Sequence, residues 1–400
     1  MVESYQRRIT CEVTVGEVGI GADNPVRVQS MITAQTQDIE NVFVQIQKLH
    51  QAKAEIVRIT TPTLKDAQAL AEIKVKLKNQ YQDVPLVADV HHQGTNIAVE
   101  ATRHVEKVRI NPGLLAFHKR VDRADNYESW EIEEQISEIN NALVPIIEAC
   151  KKEGAALRVG VNHGSLSERM LVTYGDTPQG MVESAMEFIK ICEANNFRNL
   201  VISLKASRVP IMVESNRLMV DVMKKNNMEY PVHLGVTEAG RGETARIKSA
   251  VGIGALLVMG IGDTIRVSLT EDPTREIPVA YNILQATGAR RTSVDFIACP
   301  SCGRTKFDIE EHQKKIEEHF GQLAGDISIA NIGCVVNGVG EMGDAKYGII
   351  GKAAGVVTIY RGKTPIKNVT LADSISELET LIKEDGNWIE PTTFPTPELA

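Results

Sequence analysis

The sequence predicts an α/β chain: a closed parallel (β/α)8 TIM barrel followed by a small α+β module. Three observations carry this. Short runs rich in Val, Ile and Leu alternate with longer charged stretches of helical period through about 285 residues. About eight such units fit in some 270 residues, the number and length of a barrel. No G-x-G-x-x-G turn follows the first strand, which disfavours an open doubly wound sheet.

The strand candidates are "VRVQS" (26–30), "EIVRIT" (55–60), "PLVADV" (85–90), "KVRIN" (107–111), "ALRVGVN" (156–162), "NLVISL" (199–204) and "PVHLGV" (231–236). "GALLVM" and "TIRVSL", between 254 and 269, supply the last. Helical stretches such as "DIENVFVQIQKLHQAK" and "TPQGMVESAMEFIKICEANN" separate them. The texture changes near residue 290. "ATGARRTSVDF" reads as a linker into a module with a Cys pair, a charged helix (308–320), a strand "DISIANIG" and a Gly-rich turn. The expected division is 1–285 for the barrel, 290–385 for the module and 386–400 for a loose Pro-rich tail.

Composition limits function. The chain has 400 residues, 43% of them hydrophobic, enough for a large core. Aromatic residues are 4%, too few for a base-stacking platform. A net charge of −8 argues against nucleic acid or a membrane surface as partner. No uninterrupted apolar run is long enough to span a bilayer, and the start lacks an apolar signal core, so a cytoplasmic enzyme is expected. Six cysteines are too sparse for a disulfide scaffold. Cys11, Cys150 and Cys192 fall in strand or helix patterns and read as packing residues.

In a barrel, chemistry gathers where the strands end at their carboxyl side. Here those positions hold Arg58, then Asp89 and His91, Arg109 and Asn111, Arg158 and Asn162, Lys205, and finally Arg266 and Ser268. Four arginines and a lysine on one rim of an acidic protein predict an anion site, since guanidinium forks match phosphate oxygens. The Gly-rich stretch "GIGDTIRVSL" could add backbone N–H groups. Glu238 follows strand seven, placed either as an acid–base carboxylate or as an ordinary first-turn helix residue.

Cys299 and Cys302 form a C-x-x-C pair, and Cys334 lies 32 residues further on. That gap is too long for a ferredoxin-type run. Three cysteines leave a fourth ligand open, with Glu341 the nearest donor past a Gly-rich turn. Zinc held by the three cysteines with His312 or His319 is an equal alternative on spacing alone.

Taken together, "PVRVQSMI", "VRIT", "LVADVHH", "VRINPG", "LRVGVNHGSL", "ISLKAS", "HLGVTEAG", "GIGDTIRVSLTEDP", "ACPSCGRT" and "NIGCVVNGVGE" closely resemble the 4-hydroxy-3-methylbut-2-enyl diphosphate synthase family of the methylerythritol phosphate isoprenoid pathway. The resemblance covers nearly the whole chain. It implies a TIM barrel followed by an iron–sulfur domain similar to part of sulfite and nitrite reductases. It implies a 4Fe-4S cluster on Cys299, Cys302, Cys334 and Glu341, with Glu238 as the acid–base residue. The substrate would be 2-C-methyl-D-erythritol 2,4-cyclodiphosphate, opened and dehydroxylated with two electrons. Arg58, Arg109, Arg158, Lys205 and Arg266 would bind the diphosphate, with Asn162 and Ser268 in support. The implied partners are ferredoxin or flavodoxin and a second subunit, the cluster module of one capping the barrel of the other. Two positions depart from the pattern, Val258/Met259 and His92, both expected beside the anion site. The competing readings are a phosphate-binding barrel with a structural zinc module and a pterin-binding barrel enzyme.

Overall fold

A computed structural model describes residues 5–79, 84–90, 94–116, 129–323, 326–336 and 338–389. His91, His92 and most of the Pro-rich tail lie outside the described residues. The chain forms two compact units, 1–290 and 291–400.

The first unit is a barrel of eight parallel strands: β1 (Arg27–Met31), β2 (Ile56–Thr60), β3 (Leu86–Asp89), β4 (Lys107–Ile110), β5 (Ala156–Asn162), β6 (Leu200–Lys205), β7 (His233–Leu234) and β8 (Thr264–Ile265). Their order is β6-β5-β4-β3-β2-β1-β8-β7. A single bridge, Ile202 to Val232, closes the ring between β6 and β7. The helices start where the sequence supplies caps. Asp38 accepts from the Asn41 N–H to open the helix Ile39–Gln51, and Thr177 accepts from the Gly180 N–H, with Pro178 behind it, to open Pro178–Ala194.

Two stretches differ from the sequence reading. "GALLVM" is not a strand but the last turns of the helix Gly242–Val258. Six apolar residues do not tell strand from buried helix. Met259 caps that helix, and the Gly260 carbonyl accepts from the Arg8 N–H at 2.8 Å. Val258 and Met259 therefore lie at the amino-terminal side of β8, the end of the barrel away from the strand carboxyl ends, and do not flank the anion site. "GIGD" lies there too. Its glycines serve turns: Gly260 (φ 74°) and Gly262 (φ 130°) adopt left-handed backbone, and the Gly260 N–H donates to the Leu257 carbonyl at 2.7 Å, away from the rim.

At that same end sits a hairpin the sequence reading overlooked, Val13–Val15 paired with Val18–Ile20. Val13, Val15 and Ile20 pack against Ile56, Val87, Ala156 and Val201, all fully buried. The hairpin plugs the barrel floor, each apolar side chain contributing about 1.5–3 kcal/mol.

The second unit holds a five-stranded mixed sheet: β9 (Asp295–Ala298), β10 (Ser328–Ile332), β11 (Tyr347–Ala353), β12 (Val356–Arg361) and β13 (Thr364–Thr370), in sequence order. β9, β10 and β11 run parallel, and the last two pairings are antiparallel. The helix Ile309–Phe320 packs Ile316 and Phe320 on the sheet, and Asp308 caps it through the Glu311 N–H.

Candidate active site and cluster module

Strand register decides which rim residues share a surface. Arg109 is level with Asp89 on one side and Arg158 on the other, Arg58 with Met31, and Lys205 with Asn162. Neighbours in register face the same way. Ile56, Val87, Ala156 and Val201 face the interior plug, so Arg58, Asp89, Arg109, Arg158 and Lys205, two or four residues further along, face it too. By the same step Lys107 and His233 point inward, two residues the sequence reading missed.

The interior is thus an electrostatically loaded cavity. Arg58, Lys107, Arg109, Arg158, Lys205 and Arg266 share it with the carboxylates of Asp89 and Glu276. Asp89 holds Arg109 at 2.9 Å and Arg58 at 3.5 Å. Arg109 also donates to the Gly160 carbonyl at 2.9 Å, and a Cβ on Gly160 would lie 2.6 Å from the Arg109 Nε. Only glycine admits that guanidinium. Gly235 does the same for Lys205, whose Nζ would lie 2.8 Å from an added Cβ. Glu276, ten residues beyond Arg266, accepts from its Nε and Nη2, both at 3.3 Å, and from Ser30 Oγ at 2.9 Å. The Met31 sulfur accepts from Arg58 Nη2 at 2.9 Å and Arg266 Nη1 at 3.5 Å.

Compensation is incomplete. Arg158 is 1% exposed, and its Nε and Nη1 have no partner among the described residues. Burial, then Arg58 and Arg109, pushes its proton affinity down. Lys205 is pushed down by burial, then by Arg158, Arg58, Arg266 and Arg109. Burial, then Lys205 and Arg158, keeps His233 a neutral imidazole. Such a cavity is matched by a multiply charged anion.

Asn111 has a different place. Its side chain caps a short helix through the Gly113 N–H and donates to Ser165 Oγ at 2.9 Å, so it shapes the rim. Asn162 and Ser268 are half-buried at the mouth. Glu238 is exposed on the loop after β7 and has φ 53°. Left-handed backbone at a glutamate costs about 1–2 kcal/mol and persists only where surroundings enforce it. The enforcement is visible. Glu271 accepts from the Gly242 N–H at 2.8 Å and from both Arg246 nitrogens at 2.7 Å, and Thr270 N donates to the Gly240 carbonyl at 2.9 Å. Bonds from Arg246 and then Gly242 hold the Glu271 carboxyl down to about 2. With its folded value below the ordinary 4.5, the clamp is intact above pH 4.5 and is lost as pH falls towards 2. Glu271→Gln removes the paired bonds to Arg246. The Gly242 and Thr270 amides should then exchange with deuterium faster, as the loop loses its clamp.

In the second unit, parallel pairing of Ala298 with Asn331 brings Cys299 beside the residues leading to Cys334. The Gly333 N–H donates to Cys299 Sγ at 3.2 Å. Thr305 Oγ1 accepts from the Cys302 N–H at 3.0 Å, and the Cys302 carbonyl accepts from the Thr305 N–H at 3.0 Å, closing the turn that follows the C-x-x-C pair. Hydrogen bonds from the Arg304 backbone and side chain favour the Cys302 thiolate, and Arg304 senses Cys302, Cys334 and Glu341 together. Glu341 lines a shallow cavity with Val335, Val336, Val339 and Gly340. Among the described residues no three His, Cys, Asp or Glu side chains are gathered at metal-binding geometry. The donor types are those an iron–sulfur group takes: three free thiols, Cys302 biased to thiolate, and a carboxylate, with Cys302, Cys334 and Glu341 all interacting with Arg304.

The zinc alternative fails on its histidines. His312 is buried, its ring nitrogens 3.1 Å from Asn331 Oδ1 and 2.9 Å from Ser374 Oγ. His319 pairs with Glu379 at 2.7 Å and packs on Phe320. Both ring nitrogens of His312 are engaged, and His319 is paired with Glu379 rather than with a cysteine. Cys150 and Cys192 are buried packing residues, and burial pushes the Cys150 thiol up to about 12.

Residues 10–281 match the GcpE TIM-barrel domain model, and residues 295–384 match the GcpE protein C-terminal domain model. A protein of Rippkaea orientalis, named 4-hydroxy-3-methylbut-2-en-1-yl diphosphate synthase (ferredoxin), is 56% identical over 97% of this chain and 95% of its own length. A Synechocystis protein of the same name is 55% identical over 97% of this chain and 96% of its own. One of the same name from Synechococcus elongatus is 54% identical over 96% and 94%. With both units matched, in order, by family models and by these relatives, the chain belongs to the GcpE family.

Proposed function

We propose that this chain is an oxidoreductase of isoprenoid precursor biosynthesis. It converts 2-C-methyl-D-erythritol 2,4-cyclodiphosphate to 4-hydroxy-3-methylbut-2-enyl diphosphate with electrons from ferredoxin. The single observation that carries the reading is the buried cationic barrel interior, where Arg158 has two nitrogens without a hydrogen-bond partner among the described residues and Lys205 is set among Arg158, Arg58, Arg266 and Arg109. It suits a diphosphate, and the names of relatives at 54–56% identity specify which.

In the reaction two electrons and one proton enter, the ring C–O bond to phosphate and one C–OH bond break, a C=C bond forms, the phosphate oxygen is released as an anion, and the protonated hydroxyl leaves as water. Arg58, Arg109, Arg158, Lys205 and Arg266 hold the phosphate oxygens, and the barrel wall excludes water around them. Asp89 fixes the forks of Arg58 and Arg109, as Glu276 fixes that of Arg266. Asn162 and Ser268 complete the mouth. Glu238, held by its clamped loop, delivers or receives the proton. Cys299, Cys302, Cys334 and Glu341 would hold a 4Fe-4S cluster, which supplies the electrons and Lewis acidity. The carboxylate of Glu341 is the harder and more labile of these donors. Flavodoxin is the other electron donor of suitable chemistry. The homodimer implied by the family pattern belongs to the same reading.

The test is anaerobic turnover of the cyclodiphosphate by the reconstituted chain with reduced ferredoxin. A linear diphosphate product supports the reading. A brown, reducible protein that leaves the substrate intact overturns it. Glu238→Gln at full rate would remove Glu238 from the proton path.

A further inference from the structure

Lys107 is the first residue of β4 and 0% exposed, and its Nζ has no hydrogen-bond partner among the described residues. Its neighbours in register are Val87 and Ala156, both apolar. No carboxylate is level with it. The hairpin plug closes the space beneath. From β5 and β2 it faces Arg158 and Arg58, and from β7 the neutral His233. On β1, Gln29 is buried with both side-chain polar atoms unbonded. Asp89, the carboxylate on the adjacent strand β3, is already engaged by Arg109 and Arg58.

An ammonium buried beside two guanidinium groups, with no acceptor, is costly. Guanidinium groups keep their protons in proteins, so Arg58 and Arg158 cannot relieve the field. A lysine can, by releasing one proton to solvent. A dianion among the rim cations reverses the sign of the local potential and makes the ammonium favourable again.

We propose that Lys107 is a lower tier of the anion site, an uncharged amine in the free protein that takes up one proton from solvent when a dianion binds among Arg58, Arg158 and Lys205. Burial, then Arg158 and Arg58, lowers its proton affinity well below that of an ordinary lysine, in the same direction. The inference rests on the anion-site reading and adds to it a proton-coupled binding step. Anion affinity then falls with rising pH, because each binding event must draw a proton from a scarcer supply.

Sulfate is a suitable probe, because it stays a dianion from pH 6 to 9 and every proton taken up comes to the protein. Its Kd and proton uptake are measured by calorimetry in two buffers of different ionisation enthalpy, for wild type, Lys107→Met and Lys107→Gln. The slope of log Kd against pH should be lower by about one in both variants, with about one proton fewer taken up per sulfate. Both variants should melt no lower than wild type without sulfate, since an uncompensated buried group has been removed. Equal slopes and uptake in all three proteins overturn the role of Lys107 and leave the anion site standing. Failure of wild type to bind sulfate at all defeats the anion site itself. A lower melting temperature in both variants also overturns the proposal, because Lys107 would then be a stabilising structural cation.

Discussion

Arg158→Met should lower kcat/KM by about two to three orders of magnitude, the loss of one or two charge-assisted bonds worth about 1.5–3 kcal/mol each. It should do so without lowering the melting temperature. The two expectations together are the informative result. Arg158 is buried with two nitrogens unpartnered among the described residues, and Arg58 and Arg109 act on it. A structural arginine would be engaged, as Arg169 is, with Gln135 at 3.0 Å and Glu187 at 2.6 Å. Removing such a residue strands its partners and destabilises. Removing Arg158 relieves repulsion from Arg58, Arg109 and Arg266 that outweighs its attraction to Asp89, already held by Arg109 and Arg58, so stability holds while substrate binding fails. This is the usual trade of stability for function at a charged site. Steady-state kinetics and a thermal melt on the same preparation check it. A melting temperature lowered by several degrees with activity intact would assign Arg158 to the scaffold.

That contrast also marks what the sequence could reveal. Arg58, Arg109 and Lys205 were legible because each lies near the carboxyl end of an apolar run, and Arg158 because it interrupts one. Their common inward direction follows from strand parity once registers are known, and the same parity, carried two residues back, finds Lys107 from Arg109. Looking only at strand ends left it out. Glu276 and Glu271 were not legible. Each is a helix or loop carboxylate whose partner, Arg266 or Arg246, is fixed by how the chain turns after β8. The floor hairpin escaped because its strands are three residues each, too short for a period-2 pattern to stand out. "GALLVM" misled for the converse reason: an apolar run on a helix reads like a buried strand. "GIGDT" looked like a phosphate loop by composition. Only topology shows that it precedes its strand, at the wrong end of the barrel. In the second unit the C-x-x-C pair was plain, but its environment was not. The Thr305 and Gly333 bonds that set the sulfurs, and the core bonds that remove His312 from contention, are contacts between β-strand, turn and helix residues distant in sequence.

Two substitutions in that unit should separate holding a cluster from using it. Cys334→Ser, purified without air, should lose the brown colour and most of its iron. A serine hydroxyl is a poor substitute for a soft thiolate, and Cys334 is a buried member of the donor set. Turnover should fall below detection, a loss of at least about 10³-fold, or about 4 kcal/mol. Glu341→Cys should behave in the opposite way. It offers a fourth thiolate where the native chain has an exposed carboxylate beside Gly340 and Val339. Colour and iron should be retained or improved while turnover drops by about 10²-fold or more, because a soft, firmly bound ligand does not yield its place to a substrate oxygen as a carboxylate does. The physical basis is the mismatch in the donor set itself. A site selected only for retention would be expected to complete three cysteines with a fourth soft donor, and this chain instead places a hard, exposed one there. Iron content, visible absorbance and turnover on the two variants read this directly. Glu341→Cys with wild-type turnover would show that the carboxylate need not be replaceable. Cys334→Ser with a full iron complement would remove Cys334 from the ligand set.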